Sequence, residues 1–149
     1  MDHSIYAGEL FMNGSSCSQA VFLAFCDVTG IDRKLAAKIA SPFGGGIGRM
    51  REVCGAVSGM YMVLGALYGY DETAEDDGRK KQLYKDVQAL AEKFKQENGS
   101  IICRELLGLD IKGKDNPTPE ERTEKYYKKR PCSELCRYAA DLVAEYLEL

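Results

Sequence analysis

The feature that most constrains this chain is a run of eighteen uncharged residues, 53–70, near its middle. A stretch of that length without charge would be long enough for a transmembrane helix. It also contains Gly55, Gly59, Gly65 and Gly69, and the spacing of the first two is typical of helices that pack closely together. Because the flanking sequence is polar and amphipathic, we expect a central helix that other helices bury on all sides.

Capping and stop signals divide the rest of the sequence into helical segments. Ser15 or Ser16 precedes one segment, Asp32 precedes another, and Gly or Pro follows most of their ends. The predicted segments are 4–13, 17–28, 33–40, 74 or 79 to 98, 101–107, 120–129 and 132–149. They predict an all-α fold, a single-domain bundle over residues 1–149 with about six to seven helices around the buried, glycine-rich central helix.

Composition limits the classes of function that fit. The chain has 149 residues, of which 45% are hydrophobic, and a net charge of -3. So high a hydrophobic fraction excludes a disordered chain, and the lack of an overall positive charge argues against a nucleic-acid partner.

Basic and aromatic residues in 120–130 alternate with glutamates, so we interpret that segment as a solvated helix. No signal sequence is visible, so we expect a cytoplasmic protein. The sequence is also compatible with a homo-oligomer.

Six cysteines are unusual in a chain long enough to fold without disulfide bonds. In a reducing compartment, cysteines are more often reactive or metal-binding than structural. Four of them fall near the first turn of a predicted helix: Cys17, Cys54, Cys103 and Cys132. Free N–H groups at a helix start favour an anion and lower the pKa of a thiol. The other two, Cys26 and Cys136, fall inside predicted helices, and we interpret them as core residues.

Cys54 is the strongest candidate for an attacking thiolate. Small residues follow it, beginning with Gly55 and Ala56, so that another thiol, a cofactor or a helix has room to approach its sulfur. Arg49 and Arg51 precede it, and their positive charges would also favour the thiolate.

The glycine-rich loop 44–48 is a second candidate site. Its backbone N–H groups and the two following arginines would suit an anion or an anionic cofactor. The candidate residues are Gly44, Gly45, Gly46, Arg49 and Arg51. No predicted strand precedes the loop and its glycine spacing differs from the dinucleotide-binding pattern, so it does not indicate a nucleotide site. A closely packed connection is the alternative interpretation.

Several segments together resemble one known family. They are CSQAV from Cys17, FGGG from Phe43, CGAVSG from Cys54, CREL from Cys103, and Cys132. In this order, over residues 13 to 145, they are similar to the redox-active proteins named for the pattern C_GCAxxG_C_C. The resemblance implies a small helical protein of bacteria or archaea whose four family cysteines are Cys17, Cys54, Cys103 and Cys132. It also implies a gene that is often located near transporter genes.

The cysteines allow three functional hypotheses. In the first, Cys54 attacks an oxidant or a disulfide, and Cys17, Cys103 or Cys132 resolves the intermediate. In the second, the four thiolates hold a metal ion or an iron–sulfur cluster, although the close cysteine pairs of common sites are missing. In the third, the chain is a non-enzymatic redox sensor or anion-binding module. The sequence leaves open which cysteines pair, whether a cofactor is bound, and which redox partner or substrate is used.

Overall fold

Helices form the regular secondary structure of the computed structural model, which describes residues 1–73, 75 and 77–149. Their bounds are α1 His3–Met12, α2 Cys17–Ala24, α3 Cys26–Thr29, α4 Arg33–Ala40, α5 Gly55–Tyr68, α6 Arg79–Asn98, α7 Cys103–Leu106, α8 Glu124–Lys129 and α9 Cys132–Tyr146. A 3-10 turn at Ser41–Phe43 leads into a tight turn at Gly44–Ile47. One isolated antiparallel bridge pairs Val53 with Ile102. The predicted all-α fold class is confirmed.

Side-chain caps fix the starts of several helices. Ser16 caps α2, because its hydroxyl accepts a hydrogen bond from the Gln19 backbone N–H, and the Gln19 side chain accepts one from the Ser16 N–H at 3.0 Å. The side chain of Asp32 caps α4. The Ser16 cap is reciprocal, whereas the Asp32 cap consists of one bond from the Leu35 N–H, and both satisfy N–H groups that have no partner within the helix. Two of the predicted helix starts are therefore explained by local chemistry.

Two predicted helices depart clearly from their predicted bounds, and for a third the structure selects one of two predicted starts. The segment 17–28 is interrupted at Phe25, where φ is -109° and ψ is 15°, so that Cys26 begins the separate short helix α3. The segment 120–129 becomes helical only at α8, and the residues before it are extended or irregular. The long helix α6 begins at the later of its two predicted starts, while the earlier one, Ala74, lies outside the described residues.

The central helix α5 is buried over most of its length but not at its end. Its first residues are buried, as are Val63 and Leu64. Gly65, Ala66 and Tyr68 are exposed, so the prediction of burial on all sides is wrong for the last turn. Among the described residues, no helix combines the length and the apolar character needed to cross a membrane.

Two glycines of α5 allow its backbone to pack directly against α2. A Cβ atom added at Gly59 would lie 2.8 Å from the carbonyl oxygen of Ser18 and 2.9 Å from Cβ of Val21. A Cβ atom at Gly55 would lie 3.0 Å from Cβ of Cys17. The close approach therefore brings the start of α5 against the start of α2, where Cys54 and Cys17 are located.

We expect Gly59→Ala to destabilise the fold by about 1–3 kcal/mol, because the added methyl group must displace the α2 backbone. Gly65→Ala in the same helix is the matched control, since no atom outside its own helix backbone lies within 4 Å of its Cβ position. That variant should be neutral or more stable by up to about 1 kcal/mol, because alanine favours the helix. Urea unfolding measures both. Equal effects of the two substitutions would contradict the close-packing role of Gly59.

Candidate functional site

The bridge between Val53 and Ile102 places two of the predicted cysteines. The backbone N–H of Cys54 donates to the carbonyl of Ile101 at 2.8 Å, and that of Cys103 donates to the carbonyl of Glu52 at 2.6 Å. These bonds hold the start of α5 beside the start of α7. They join parts of the chain that are far apart in sequence, so helix signals alone did not reveal the pairing.

The four predicted cysteines line one small cavity of about 60 Å³, which we call the thiol cavity. They reach it from the starts of α2, α5, α7 and α9. Cys54, Cys103 and Cys132 are only 5%, 7% and 8% exposed, whereas Cys17 is more accessible. Further wall residues are Ser16, Gly45, Gly46, Arg51, Arg122, Tyr126 and Arg130. A cavity of this volume has room for a few water molecules or one narrow reacting group.

Cys17 is the centre of a group of three thiols. The side chains of Cys132 and Cys136 lie close enough to it to shift its pKa. The Cys136 thiol also donates to the backbone carbonyl of Cys17, with 3.8 Å between Sγ and the oxygen. All six cysteines are free thiols. The expected burial of Cys136 is therefore correct, but its contact with Cys17 was missed, although its position four residues after Cys132 places both on one helix face. Cys26 lies outside the cavity and is half-buried.

Burial dominates the acidity of Cys54, which caps α5. Desolvation raises its pKa to about 12, although the backbone N–H groups of Ala56 and Val57 act in the opposite direction. The predicted lowering of the Cys54 pKa at the helix start is therefore wrong. A buried thiolate loses more hydration free energy than it regains from hydrogen bonds with two N–H donors.

The other cavity thiols are also less acidic than usual. Burial raises the pKa of Cys103 despite its contact with Arg51. The hydrogen bond with Cys17 and burial together raise the pKa of Cys132. For Cys17, the hydrogen bond from Cys132 lowers the pKa, but the one with Cys136 and burial outweigh it, and the pKa lies well above its ordinary value. All four thiols are therefore protonated at neutral pH.

Arg51 contacts a different cysteine from the one that the sequence suggested. Its guanidinium is buried and donates to Sγ of Cys103 at 3.7 Å and to the Asp115 carboxylate at 3.1 and 3.2 Å. Arg49 donates to the same carboxylate at 3.2 Å. The expectation that both arginines act on Cys54 is therefore corrected. The backbone N–H of Asn116 and the side chain of Arg51 lower the pKa of Asp115, which keeps this carboxyl ionised.

The glycine-rich turn forms one wall of the site. Gly45 and Gly46 have φ values of 66° and 70°, in the left-handed region that favours glycine. A Cβ atom at Gly46 would lie only 2.5 Å from Cβ of Cys103. The predicted anion-binding residues all line the thiol cavity or a larger cavity beside it: Gly44, Gly45, Gly46, Arg49 and Arg51.

The segment 120–130 contributes three side chains that the sequence interpretation missed. Arg122, Tyr126 and Arg130 line both the thiol cavity and the larger cavity. The interpretation of this segment as a solvated helix is therefore wrong for these residues. Tyr126 lies in α8, whereas Arg122 precedes this helix and Arg130 follows it, so helical spacing in the sequence did not reveal that the three share the site. The larger cavity has a volume of about 450 Å³.

The arrangement gives no support to the metal hypothesis. In the part of the chain that the structure describes, no group of three or more His, Cys, Asp or Glu side chains is arranged to hold a metal ion. A structural zinc site needs four ligands around one point. The four predicted cysteines instead surround a cavity, and Cys136, which contacts Cys17, does not line it.

Comparison with known proteins identifies a family over nearly the whole chain. A search of curated proteins and a search of solved structures each found no match. A family model described as "Putative redox-active protein (C_GCAxxG_C_C)" matches residues 15–146. The matched range contains all four cysteines of the thiol cavity and the glycine-rich turn. The chain therefore belongs to the C_GCAxxG_C_C family.

Proposed function

We propose that this protein carries out thiol–disulfide exchange and that Cys17 and Cys132 are its reactive pair. One observation carries the proposal: the two thiols lie close enough to shift each other's pKa, at the wall of the cavity that all four family cysteines line. Two neighbouring thiols at the starts of α2 and α9 are candidates for a disulfide. Membership of a redox-active family supports the same class of chemistry.

Cys17 is the better candidate for the attacking residue. Over the whole residue it is more exposed than the other three family cysteines, although its thiol is buried against Cys132 and Cys136, and access to the partner is a requirement for exchange. Cys54, which the sequence favoured for this role, is 5% exposed and has a pKa of about 12. Cys132 is nearly buried beside Cys17, which suits a resolving residue.

The reaction proceeds in two steps. The Cys17 thiol loses its proton and the thiolate attacks one sulfur of a partner disulfide, which forms a mixed disulfide and releases one partner thiolate. Cys132 then loses its proton and attacks Sγ of Cys17, which releases the second partner thiolate and leaves a Cys17–Cys132 disulfide. The two protons pass to the released thiolates. Two electrons move from the protein to the partner, and a disulfide-reducing partner reverses both steps.

The environment of the pair determines when the reaction is fast. Because the thiolate is the nucleophile, the raised pKa of Cys17 makes exchange slow at neutral pH unless deprotonation is assisted. Arg122 and Arg130 act against burial at Cys132 and lower its pKa, so a thiolate at the pair has cationic side chains nearby. Arginines therefore contribute to stabilising a negative charge at Cys132.

Disulfide mapping under defined glutathione poises tests the proposal. The reduced protein is equilibrated over a range of glutathione ratios, free thiols are alkylated, and disulfides are located by mass spectrometry. We expect one Cys17–Cys132 disulfide in the wild type and none in Cys17→Ser or Cys132→Ser. Cys26→Ser is the control, because Cys26 lies outside the cavity and its loss should leave the disulfide unchanged.

Two results would overturn the proposal. If all thiols stay free at every poise, the chain does not use thiol–disulfide exchange under these conditions. If the disulfide that forms is Cys17–Cys136, the resolving role belongs to Cys136. Circular dichroism of each variant ensures that a lost disulfide does not reflect a lost fold.

A further inference from the structure

A cluster of arginines lines a larger cavity beside the thiol cavity, and nothing described so far assigns a ligand to that cavity. The larger cavity, which we call the arginine basin, is lined by Arg49, Arg51, Arg122 and Arg130. It shares walls with the thiol cavity at Arg51, Arg122, Arg130, Ser16, Gly45 and Tyr126. Its volume of about 450 Å³ falls within the range typical of small-molecule sites.

The carboxylates near the basin compensate only part of its positive charge. Arg49 and Arg51 share the single carboxylate of Asp115. Arg130 pairs with Glu120, with 2.6 Å between the nitrogen and the oxygen. Arg122 has no carboxylate partner among residues 1–73, 75 and 77–149. Two of the four positive charges are therefore uncompensated.

Arg122 is held in place without being neutralised. Its guanidinium donates to the backbone carbonyls of Phe11 and Ser15, at 3.0 and 3.1 Å. It also lies over the Phe11 ring at 4.4 Å and the Tyr126 ring at 5.0 Å. Backbone carbonyls and aromatic rings fix the orientation of the guanidinium but do not neutralise its charge. A guanidinium has five N–H donors, so donors remain for a ligand after the two carbonyls are bound. A preorganised arginine of this kind suits the carboxylate of a ligand.

We infer that the arginine basin binds the carboxylates of a small anionic disulfide and directs its S–S bond to Cys17. This inference rests on the proposed thiol–disulfide exchange and names its substrate class. The anionic disulfide is the partner in the two steps described above: it accepts two electrons and two protons and leaves as two anionic thiols. The narrow thiol cavity admits the sulfur atoms, while the wider basin holds the charged ends.

A series of small disulfides that differ in charge tests the inference. The probes are dithiodipropionate, which is a dianion, bis(hydroxyethyl) disulfide, which is neutral, and cystamine, which is a dication. The rate at which each oxidises the reduced protein is divided by its rate with dithiothreitol, so that intrinsic reactivity cancels. We expect the dianion to be preferred over the dication by about tenfold or more at low ionic strength, and added salt to reduce that preference.

Variants of one arginine sharpen the test. Arg122→Gln should reduce the preference for the dianion by about tenfold, because a charge-assisted hydrogen bond is lost. Arg122→Lys keeps the charge and should retain part of the preference. Arg79→Gln is the control, since Arg79 is exposed on α6 outside the basin. The preference is a ratio within one variant, so a change in stability does not mimic the effect.

The outcomes separate this inference from the function on which it rests. Equal normalised rates for the three probes, with the Cys17–Cys132 disulfide still formed, would overturn the anionic substrate class alone. Failure of every probe to form the disulfide would overturn the proposed function. Thiodipropionate, a thioether without an S–S bond, gives a readout independent of redox chemistry. We expect calorimetry to show that it binds the Cys17→Ser variant but not the double variant Cys17→Ser/Arg122→Gln. Equal binding to both variants would overturn the inference.

Discussion

Gly46→Ala should destabilise the protein by about 3 kcal/mol or more, the largest effect that we expect from a single methyl group. Gly46 has a φ of 70°, and its Cβ position lies 2.5 Å from Cβ of Cys103 and 2.8 Å from Cα of Arg51. The substitution therefore combines backbone strain with a clash against a backbone that the bridge holds in place. Urea unfolding of the reduced protein measures the loss.

Gly48→Ala separates the two contributions. Gly48 belongs to the same turn and has a φ of 55°, but the nearest atom to its Cβ position is the Pro42 carbonyl oxygen at 3.9 Å. It should therefore lose only the strain of a left-handed conformation, about 1 kcal/mol. If the two alanine variants are equally stable, the turn does not pack against Cys103 as described.

The reduced protein should lose about 3 kcal/mol of stability between pH 9 and pH 12 through Cys54 alone. The ordinary pKa of the thiol is 9.0, and burial raises it to about 12 in the folded state. Above pH 9 the unfolded chain releases this proton while the folded chain retains it, so rising pH favours unfolding. The stabilisation is complete below pH 9 and disappears as the pH approaches the folded-state value.

A comparison of two serine variants isolates this contribution. Denaturant unfolding is measured at each pH with a reductant present. Cys54→Ser removes the ionising group, and its free energy of unfolding should decline less steeply than that of the wild type by the stated amount. Cys26→Ser, which removes a half-buried thiol on α3, should keep most of the wild-type decline. Parallel curves for the wild type and Cys54→Ser would show that Cys54 ionises as freely in the folded protein as in the unfolded chain.

The helices and their starts were largely readable from the sequence because the signals are local. The Ser16 cap acts over three residues, and so does the cap at Asp32. The spacing of Gly55 and Gly59 predicted a close helix contact, although not its partner α2. The break at Phe25 was not predicted, because the apolar pattern continues through it and tertiary packing determines where that helix ends.

The chemistry of the site was only partly predictable. Position along the helices selected the four cysteines that the fold gathers around one cavity. It gave the wrong direction for the pKa of Cys54, because burial depends on elements that pack over the sulfur and not on its own helix. The charge on Arg51 was visible, but the bridge between Val53 and Ile102 directs it to Cys103.

The sequence by itself determined the all-α class, the helix starts, the placement of the four family cysteines near them, and the glycines that permit close approach. Only the tertiary structure decided which thiols lie close together, that Cys136 contacts Cys17, and that Arg122 faces the site. The physical reason is the range of the interactions. Caps and turns act within a few residues, whereas desolvation, thiol contacts and ion pairs arise between segments that meet only when the chain folds.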